Sequence, residues 1–382
     1  MRLKLTTTKI IKTMWQIINT QNWEAIGKTF DWIQDMKGVP QDPIYHAEGD
    51  VAIHTEMVMN ALLGLPDYLN LDEQDQQILL ATALLHDVEK RSCTKTETDG
   101  RITSKGHAKK GEFTTRNILY KELLTPFNIR EAIAKLVRYH GLPFWIFEKP
   151  NPQKALLQAS LEVNTKQLYL FAKADILGRI CADQSEMLYK LELFKEFCLE
   201  QNCFGAPYPF ANDLARFTYF QKEDSSPNYV PFDTTKCEVV LLCALPGTGK
   251  DTFIQKHYQD APVVSLDAIR RAYGISPKDS KANGKVIQIA KEQARILLRQ
   301  QQSFVFNATN IKKQLRSQWI DLFATYGAKV KIVYLEVPYL QLLQQNRTRT
   351  YVVPAKVMEN MIRKLEIPSL VEAHQVTYFV KD

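Results

Sequence analysis

The apolar run Val239-Val240-Leu241-Leu242 leads through Cys243 into Ala244-Leu245-Pro246-Gly247-Thr248-Gly249-Lys250-Asp251-Thr252. Few folds tolerate that order. A buried strand must stop, turn over a few glycine-rich residues and enter a helix that starts at a lysine. Backbone N–H groups in such a turn converge at a helix N-terminus and make an anion cradle, with Lys250 placed to reach the bound oxygens. The standard form is G-x-x-x-x-G-K-[ST]. This chain has Ala244 for the first Gly and Asp251 for the hydroxyl residue that ligates Mg²⁺. Pro246, Gly247, Thr248, Gly249, Lys250, Asp251 and Thr252 are the candidate nucleotide-binding residues. The Mg²⁺ role falls either to Asp251, directly or through water, or to Thr252. A chance glycine-rich turn is the alternative, and the strand–turn–helix context argues against it.

Around this turn the pattern alternates. Strands are expected at 238–243, near 262–266, at 303–307 and at 329–335. Helices are expected from 249, at 284–301 and at 312–326, with two more after the last strand. Such alternation implies a parallel sheet covered on both faces. The first 200 residues differ. Apolar residues recur at three- and four-residue spacing through Ile53–Leu63, Asp75–Leu85, Ala108–Tyr120, Ile129–Tyr139 and Leu168–Lys195, which predicts an all-α unit. Between them the composition shifts, with Pro207, Pro209, Pro227, Pro231 and the run Glu223-Asp224-Ser225-Ser226. The chain therefore divides into an all-α domain at 1–205, a linker or extended packing segment at 206–235, and an α/β domain at 236–382. A length of 382 residues suits two domains.

Charge follows the same division. Residues 236–382 carry 22 Lys+Arg against 12 Asp+Glu, and residues 1–235 carry 27 against 30. A basic C-terminal domain suits a polyanionic ligand, although a solvated basic face is the commoner cause of such a surplus. The six cysteines show no C-x-x-C spacing and read as reduced thiols. The N-terminus, with Lys4, Lys9 and Lys12, has no continuous apolar segment or cleavage site of a signal peptide, and no stretch approaches the ~20 apolar residues of a membrane helix. A cytoplasmic protein without membrane contact is expected.

A second set of residues carries different chemistry. His54, His86-Asp87, His107, His140 and Asp175 form an ordered series of metal-ligand types, and five of the seven histidines fall within 46–140. Adjacent His86 and Asp87 follow the apolar helix Leu79–Leu85. Two polar ligands at a buried helix end are costly unless a divalent cation neutralises them. Imidazole-rich ligation favours Mn²⁺, Ni²⁺, Co²⁺ or Fe over Mg²⁺. Lys90 lies one turn on, either to neutralise a substrate phosphate or simply exposed. His46 reads as a support for the ligands or as structural.

Beyond the second expected strand, Asp267 is placed to orient an acceptor hydroxyl and take its proton, with a helix N-cap as the alternative. Arg270 is one turn further on the same face, where it can hold an acceptor phosphate. Phe306-Asn307-Ala308-Thr309-Asn310 ends the third strand at the ligand-facing edge. Asn346-Arg347-Thr348-Arg349 reads as part of a lid.

Residues 237–382 resemble the P-loop 5′-hydroxyl polynucleotide kinases. The resemblance implies Asp267 as general base, Arg270 as acceptor-side arginine and Arg349 as the principal lid arginine, with Mg²⁺ and a nucleoside triphosphate (ATP or GTP) as cofactors. Asn307 stands where an Asp often begins D-A-T-N, and Gln345 where an Arg often begins R-N-x-x-R. The series His54, His86-Asp87, Asp175 is similar to that of the HD-superfamily phosphohydrolases. His107 and His140 fill the further positions of their binuclear members, which implies one or two metals, the second bridged through Asp87, that clamp a phosphate and activate water. Nearly the whole chain is similar to the bacterial HD-Pnk end-healing enzymes. That resemblance implies RNA or DNA ends as substrates, removal of 2′,3′-cyclic phosphate or 2′-phosphate, phosphorylation of 5′-hydroxyls, and a nucleic-acid ligase acting downstream. Two other readings stand beside it: a kinase for a small molecule such as a nucleoside, sugar or antibiotic, and a nucleotide-sensing regulator without turnover.

Overall fold

A computed structural model of the protein describes residues 14–276 and 279–381, so the segment bearing Lys4, Lys9 and Lys12 lies outside the described residues. The helical part is built on α1 (Val51–Leu63), α2 (Glu73–Leu85), α3 (His107–Lys121), α4 (Phe127–Tyr139), α5 (Pro152–Glu162), α6 (Thr165–Leu177) and α7 (Gln184–Glu200). Helix starts are set by side-chain caps. Asp50 accepts from Ile53 N, Asp72 from Asp75 N and Asn164 from Lys166 N and Gln167 N. Every residue of α2 from Ile78 to Leu85 is buried. An all-round apolar helix belongs at the centre of a bundle, and α1, α4 and α6 pack around it. The expected helix across Leu168–Lys195 is instead two, broken at 178–183. Gly178 caps α6 where that helix crosses α1.

Residues 206–235 contribute a helix, α8 (Asp213–Gln221), capped by Asn212. It packs onto the C-terminal part, where Arg216 donates to Leu370 O and His374 O and Phe217 stacks on His374 at 3.9 Å between ring centres.

The C-terminal part alternates β1 (Cys237–Ala244), α9 (Lys250–His257), β2 (Val263–Ser265), α10 (Leu266–Ala272), α11 (Ser280–Arg299), β3 (Phe304–Asn307), α12 (Lys313–Thr325), β4 (Ala328–Glu336), α13 (Tyr339–Thr348), α14 (Ala355–Arg363) and β5 (Gln375–Val380). The strands form one sheet, ordered β2-β3-β1-β4-β5, and every pairing is parallel. Strand β1 is central, and its last six residues are buried, as a strand covered on both faces must be. Strand β5 was not expected; it extends the sheet beside β4. The chain lays β2 and β3 on one side of β1 and crosses to the other side only after β3, and because all strands are parallel the carboxyl ends of β1, β2 and β3 lie along one edge of the sheet.

The two parts share a seam. Tyr120 of α3 and Phe127 of α4 lie within the apolar core of the C-terminal part. Tyr120 donates its hydroxyl to Val337 O at 2.8 Å, Arg130 forks onto Glu336 at 2.9 and 2.8 Å, and Lys121 pairs with Glu359 at 2.7 Å. No helix among the described residues is long and apolar enough to cross a membrane.

Candidate functional site

The expected ligands of the helical part converge. His54 comes from α1, His86 and Asp87 from the end of α2, His107 from the start of α3, His140 from the end of α4 and Asp175 from α6. Each imidazole is oriented from behind. His86 Nδ1 donates to Ala83 O at 2.9 Å, His107 Nδ1 to Ser104 O at 2.7 Å and His140 Nδ1 to Val137 O at 2.8 Å, while His54 Nδ1 lies 2.9 Å from Glu48 Oε1. Carbonyls and carboxylates only accept, so the proton sits on Nδ1 and each Nε2 turns a lone pair inward.

The lone pairs fall into two groups. His54, His86 and Asp175 form one, and Asp87, His107 and His140 the other. Asp87 joins them, with Oδ2 3.2 Å from His86 Nε2 and Oδ1 3.3 Å from His107 Nε2. Within the groups, His54 and His86 bring their Nε2 atoms to 3.4 Å, and His107 and His140 to 3.2 Å. Asp87 Oδ1 and Asp175 Oδ1 are buried without a hydrogen-bond donor. Facing lone pairs and orphaned buried carboxylate oxygens are unfavourable unless cations fill the gaps, so the donor set fits two divalent ions. Burial, then the neighbouring His107, holds His140 down at about 3, in the neutral form a ligand needs. Burial alone would raise the Asp87 carboxyl, but His86 and Lys90 beside it hold it well below the usual range.

Two cations stand at this cluster. Lys90 Nζ lies 2.8 Å from Asp87 Oδ2 and donates to Gln41 Oε1 at 2.6 Å. Arg179 Nη2 lies 2.9 Å from Asp175 Oδ2, and its Nε is buried without an acceptor.

The second cluster surrounds the glycine-rich turn. Gly247 and Gly249 have φ of 89° and 90°, left-handed values that favour glycine. Thr248 Oγ1 donates to Leu245 O at 3.0 Å. Lys250 folds back to donate to Leu245 O at 3.0 Å and Ala244 O at 3.4 Å, partners that phosphate oxygens can replace. Burial pulls its ammonium down to about 8. Asp267, Asp251 and Arg349 all act on it electrostatically, which places these four residues in one neighbourhood. Asp267 accepts from Arg270 Nη1 at 2.6 Å, while Arg270 Nε donates to Asn283 at 2.8 Å. The helix cap at this point is Ser265, not Asp267. Asn307 Nδ2 donates to Asp251 Oδ1 at 2.8 Å, and Thr252 is exposed beyond. Asn346 clasps Val353 in both directions, at 2.8 and 3.0 Å. The turn between them carries Arg349, whose Nη1 is buried without an acceptor. Pro246 is buried within the turn.

Residues 51–177 match the HD domain family, and residues 239–368 match the AAA domain family. The helical part thus carries an HD domain, and the α/β part with its parallel sheet carries a domain similar to the AAA family. Among solved structures, a protein of Chloroflexus aurantiacus named provisionally as a kinase aligns at 16% identity over 38% of this chain and 86% of its own, with a TM-score of 0.33. A sugar kinase from Janibacter sp. HTCC2649 aligns at 16% identity over 38% and 85%, with a TM-score of 0.30. No curated protein sequence matches the chain.

The HD domain holds three site residues that sequence reasoning missed: Gln41 on Lys90, Glu48 on His54 and His46, and Arg179 on Asp175. Arg179 had a signal, since it is one turn after Asp175 on the same face. In the P-loop domain, Asn310 closes the Asn-Ala-Thr-Asn segment in a left-handed conformation with φ of 47° and donates to Leu242 O at 2.8 Å. It fastens β3 to β1 beneath the anion cradle.

Proposed function

We propose that the protein heals broken nucleic-acid ends. In this reading the HD domain removes a 2′,3′-cyclic phosphate or 2′-phosphate, and the P-loop domain moves the γ-phosphoryl group of a nucleoside triphosphate onto a 5′-hydroxyl. RNA cut by transesterification carries those two termini, whereas a ligase requires a 3′-hydroxyl and a 5′-phosphate. A nucleic-acid ligase would therefore act next, and six free thiols suit a reducing, cytoplasmic setting.

One observation carries the choice of acceptor. The Asp267 side chain is 60% exposed, yet its charge reaches half-buried Lys250. A base that opens to solvent beside the phosphate cradle suits an acceptor hydroxyl on the end of a long chain. A small acceptor would need walls around it.

On this reading Lys250 exchanges Leu245 O and Ala244 O for β- and γ-phosphate oxygens, and Arg349 Nη1 gains an acceptor on the same nucleotide. Asp267 orients the 5′-hydroxyl and takes its proton as the O–P bond forms. The bond from γ-phosphorus to the bridging oxygen breaks, and nucleoside diphosphate leaves. Arg270 holds the adjoining acceptor phosphate while fixing Asp267 from the side.

In the HD domain, His54, His86, Asp87 and Asp175 would hold one divalent ion and Asp87, His107 and His140 a second, and such ions would supply Lewis acidity and an activated water. Lys90 and Arg179 neutralise the phosphate held there. Water opens the cyclic diester to a monoester, and a second water releases inorganic phosphate to leave free hydroxyls.

The test is an oligonucleotide bearing a 5′-hydroxyl and a 2′,3′-cyclic phosphate, incubated with Mg²⁺, Mn²⁺ and NTP. Gain of a 5′-phosphate and loss of the terminal phosphate are expected. Turnover of nucleosides or sugars with none of the oligonucleotide would overturn the reading.

A further inference from the structure

Two positions of the P-loop domain depart from the usual metal chemistry of such sites, and they touch. The residue after the P-loop lysine is normally a hydroxyl that ligates Mg²⁺; here it is Asp251. A carboxylate from a neighbouring strand end normally completes the site; here the end of β3 is Asn307, whose Nδ2 donates to Asp251 Oδ1 at 2.8 Å. The site thus keeps one carboxylate and one neutral polar group, with their positions exchanged. Asn307 is buried at the strand end, and Asp251 is exposed in the first turn of the helix that follows the anion cradle. The amide engages Oδ1 of the carboxylate, which leaves Oδ2 outside that bond.

We infer that Asp251 ligates the divalent ion of the bound nucleotide from within the loop, with Asn307 as the positioning residue that orients its carboxylate. This assignment rests on the phosphotransfer reading of the P-loop domain. It carries a consequence that a hydroxyl would not. Without a cation, Asp251 repels the phosphates that Lys250, its neighbour in sequence, attracts. Nucleotide binding by this chain therefore depends on Mg²⁺ more steeply than binding by a loop with serine there.

The experiment measures equilibrium binding of ATP and GTP to the full chain by calorimetry, once in Mg²⁺ and once in EDTA, for four proteins: unaltered, Asp251→Ser, Asn307→Asp and the double variant. Thermal melting and metal content of the HD domain verify folding in each. The unaltered chain should bind far more tightly in Mg²⁺. Asp251→Ser should bind more tightly in EDTA than the unaltered chain does, which lowers the Mg²⁺-to-EDTA affinity ratio by about tenfold. Asn307→Asp sets two carboxylates side by side and should raise the ratio. The double variant, with the groups exchanged back, should fall between Asp251→Ser and the unaltered chain. An unchanged ratio in Asp251→Ser, or equal weakening in both media, would overturn the assignment while leaving the phosphotransfer reading intact. Failure of the unaltered chain to bind nucleotide in either medium would overturn both.

Discussion

Gly178 sits so close to Val58 that a Cβ on the glycine would stand 2.5 Å from the Val58 Cα. The contact joins α6 to α1, the two helices that bring Asp175 and His54 to 3.2 Å. Gly178→Ala cannot be absorbed by a side-chain rotation, because the clash is with backbone. The variant should fold with α6 displaced from α1 and with weakened metal binding, although no ligand has changed. Metal content after dialysis, read beside the melting temperature, checks this. Full metal retention at lowered stability would show that the ligands do not depend on this helix contact.

The two activities should separate by mutation. Asp87→Ala removes the carboxylate that joins both histidine groups and should abolish phosphoesterase turnover and metal uptake while phosphorylation continues. Lys250→Ala should do the reverse. Asp267→Ala should cost the kinase about 10²–10³ in rate. A near-normal rate would return Asp267 to a purely structural role.

Lys250 predicts a pH dependence. Burial brings it to about 8 from 10.5 in the unfolded chain, against the opposing pull of Asp267 and Asp251. Between those values the unfolded chain binds more protons than the folded one, so this group's contribution to stability rises with pH there and is lost as pH falls through 8. Nucleotide affinity runs the other way, because phosphate needs the ammonium. Affinity should be level below about pH 8 and fall above it by at most about tenfold per pH unit. Calorimetry across neutral to alkaline pH tests this, and Lys250→Met should flatten the profile.

The seam makes a stability prediction. Arg130 and Glu336 are both buried, and Tyr334 donates its hydroxyl to the same carboxylate at 2.5 Å. Removing one partner leaves a buried charge uncompensated, so Arg130→Met should cost about 3–5 kcal/mol. Arg130→Met combined with Glu336→Gln should cost less than the two single changes together. Denaturant unfolding of the four proteins measures that coupling, and additive losses would show that the pair acts as two separate contacts.

The cradle and the histidine series were legible because their chemistry is written locally, in contiguous residues or in residue types that rarely cluster. Contacts between distant segments were not. Asp251 and Asn307 each stood out as a departure, but 56 positions separate them. Their contact exists only because β3 neighbours β1, an order that alternation of strands and helices does not fix. Glu48 reaches His54 from a turn outside any helix, where periodicity is silent. The break at 178–183 was masked by apolar spacing that continues in phase on both sides. Strand β5, Gln-Val-Thr-Tyr-Phe-Val, has the composition of a strand, but it follows two helices and lies beyond the strand–helix alternation around the cradle.

Tyr120 and Phe127 belong to helices that carry metal-site histidines at their far ends, yet both are buried among side chains of the P-loop sheet. A gene cut between the two halves would leave these rings and Arg130 bare on one fragment and Glu336 bare on the other. Each piece would keep its site residues and uncover apolar surface that the other now covers. The expected unit of inheritance, expression and turnover is thus the pair, and a cell that makes this chain would hold its two chemistries in fixed one-to-one proportion.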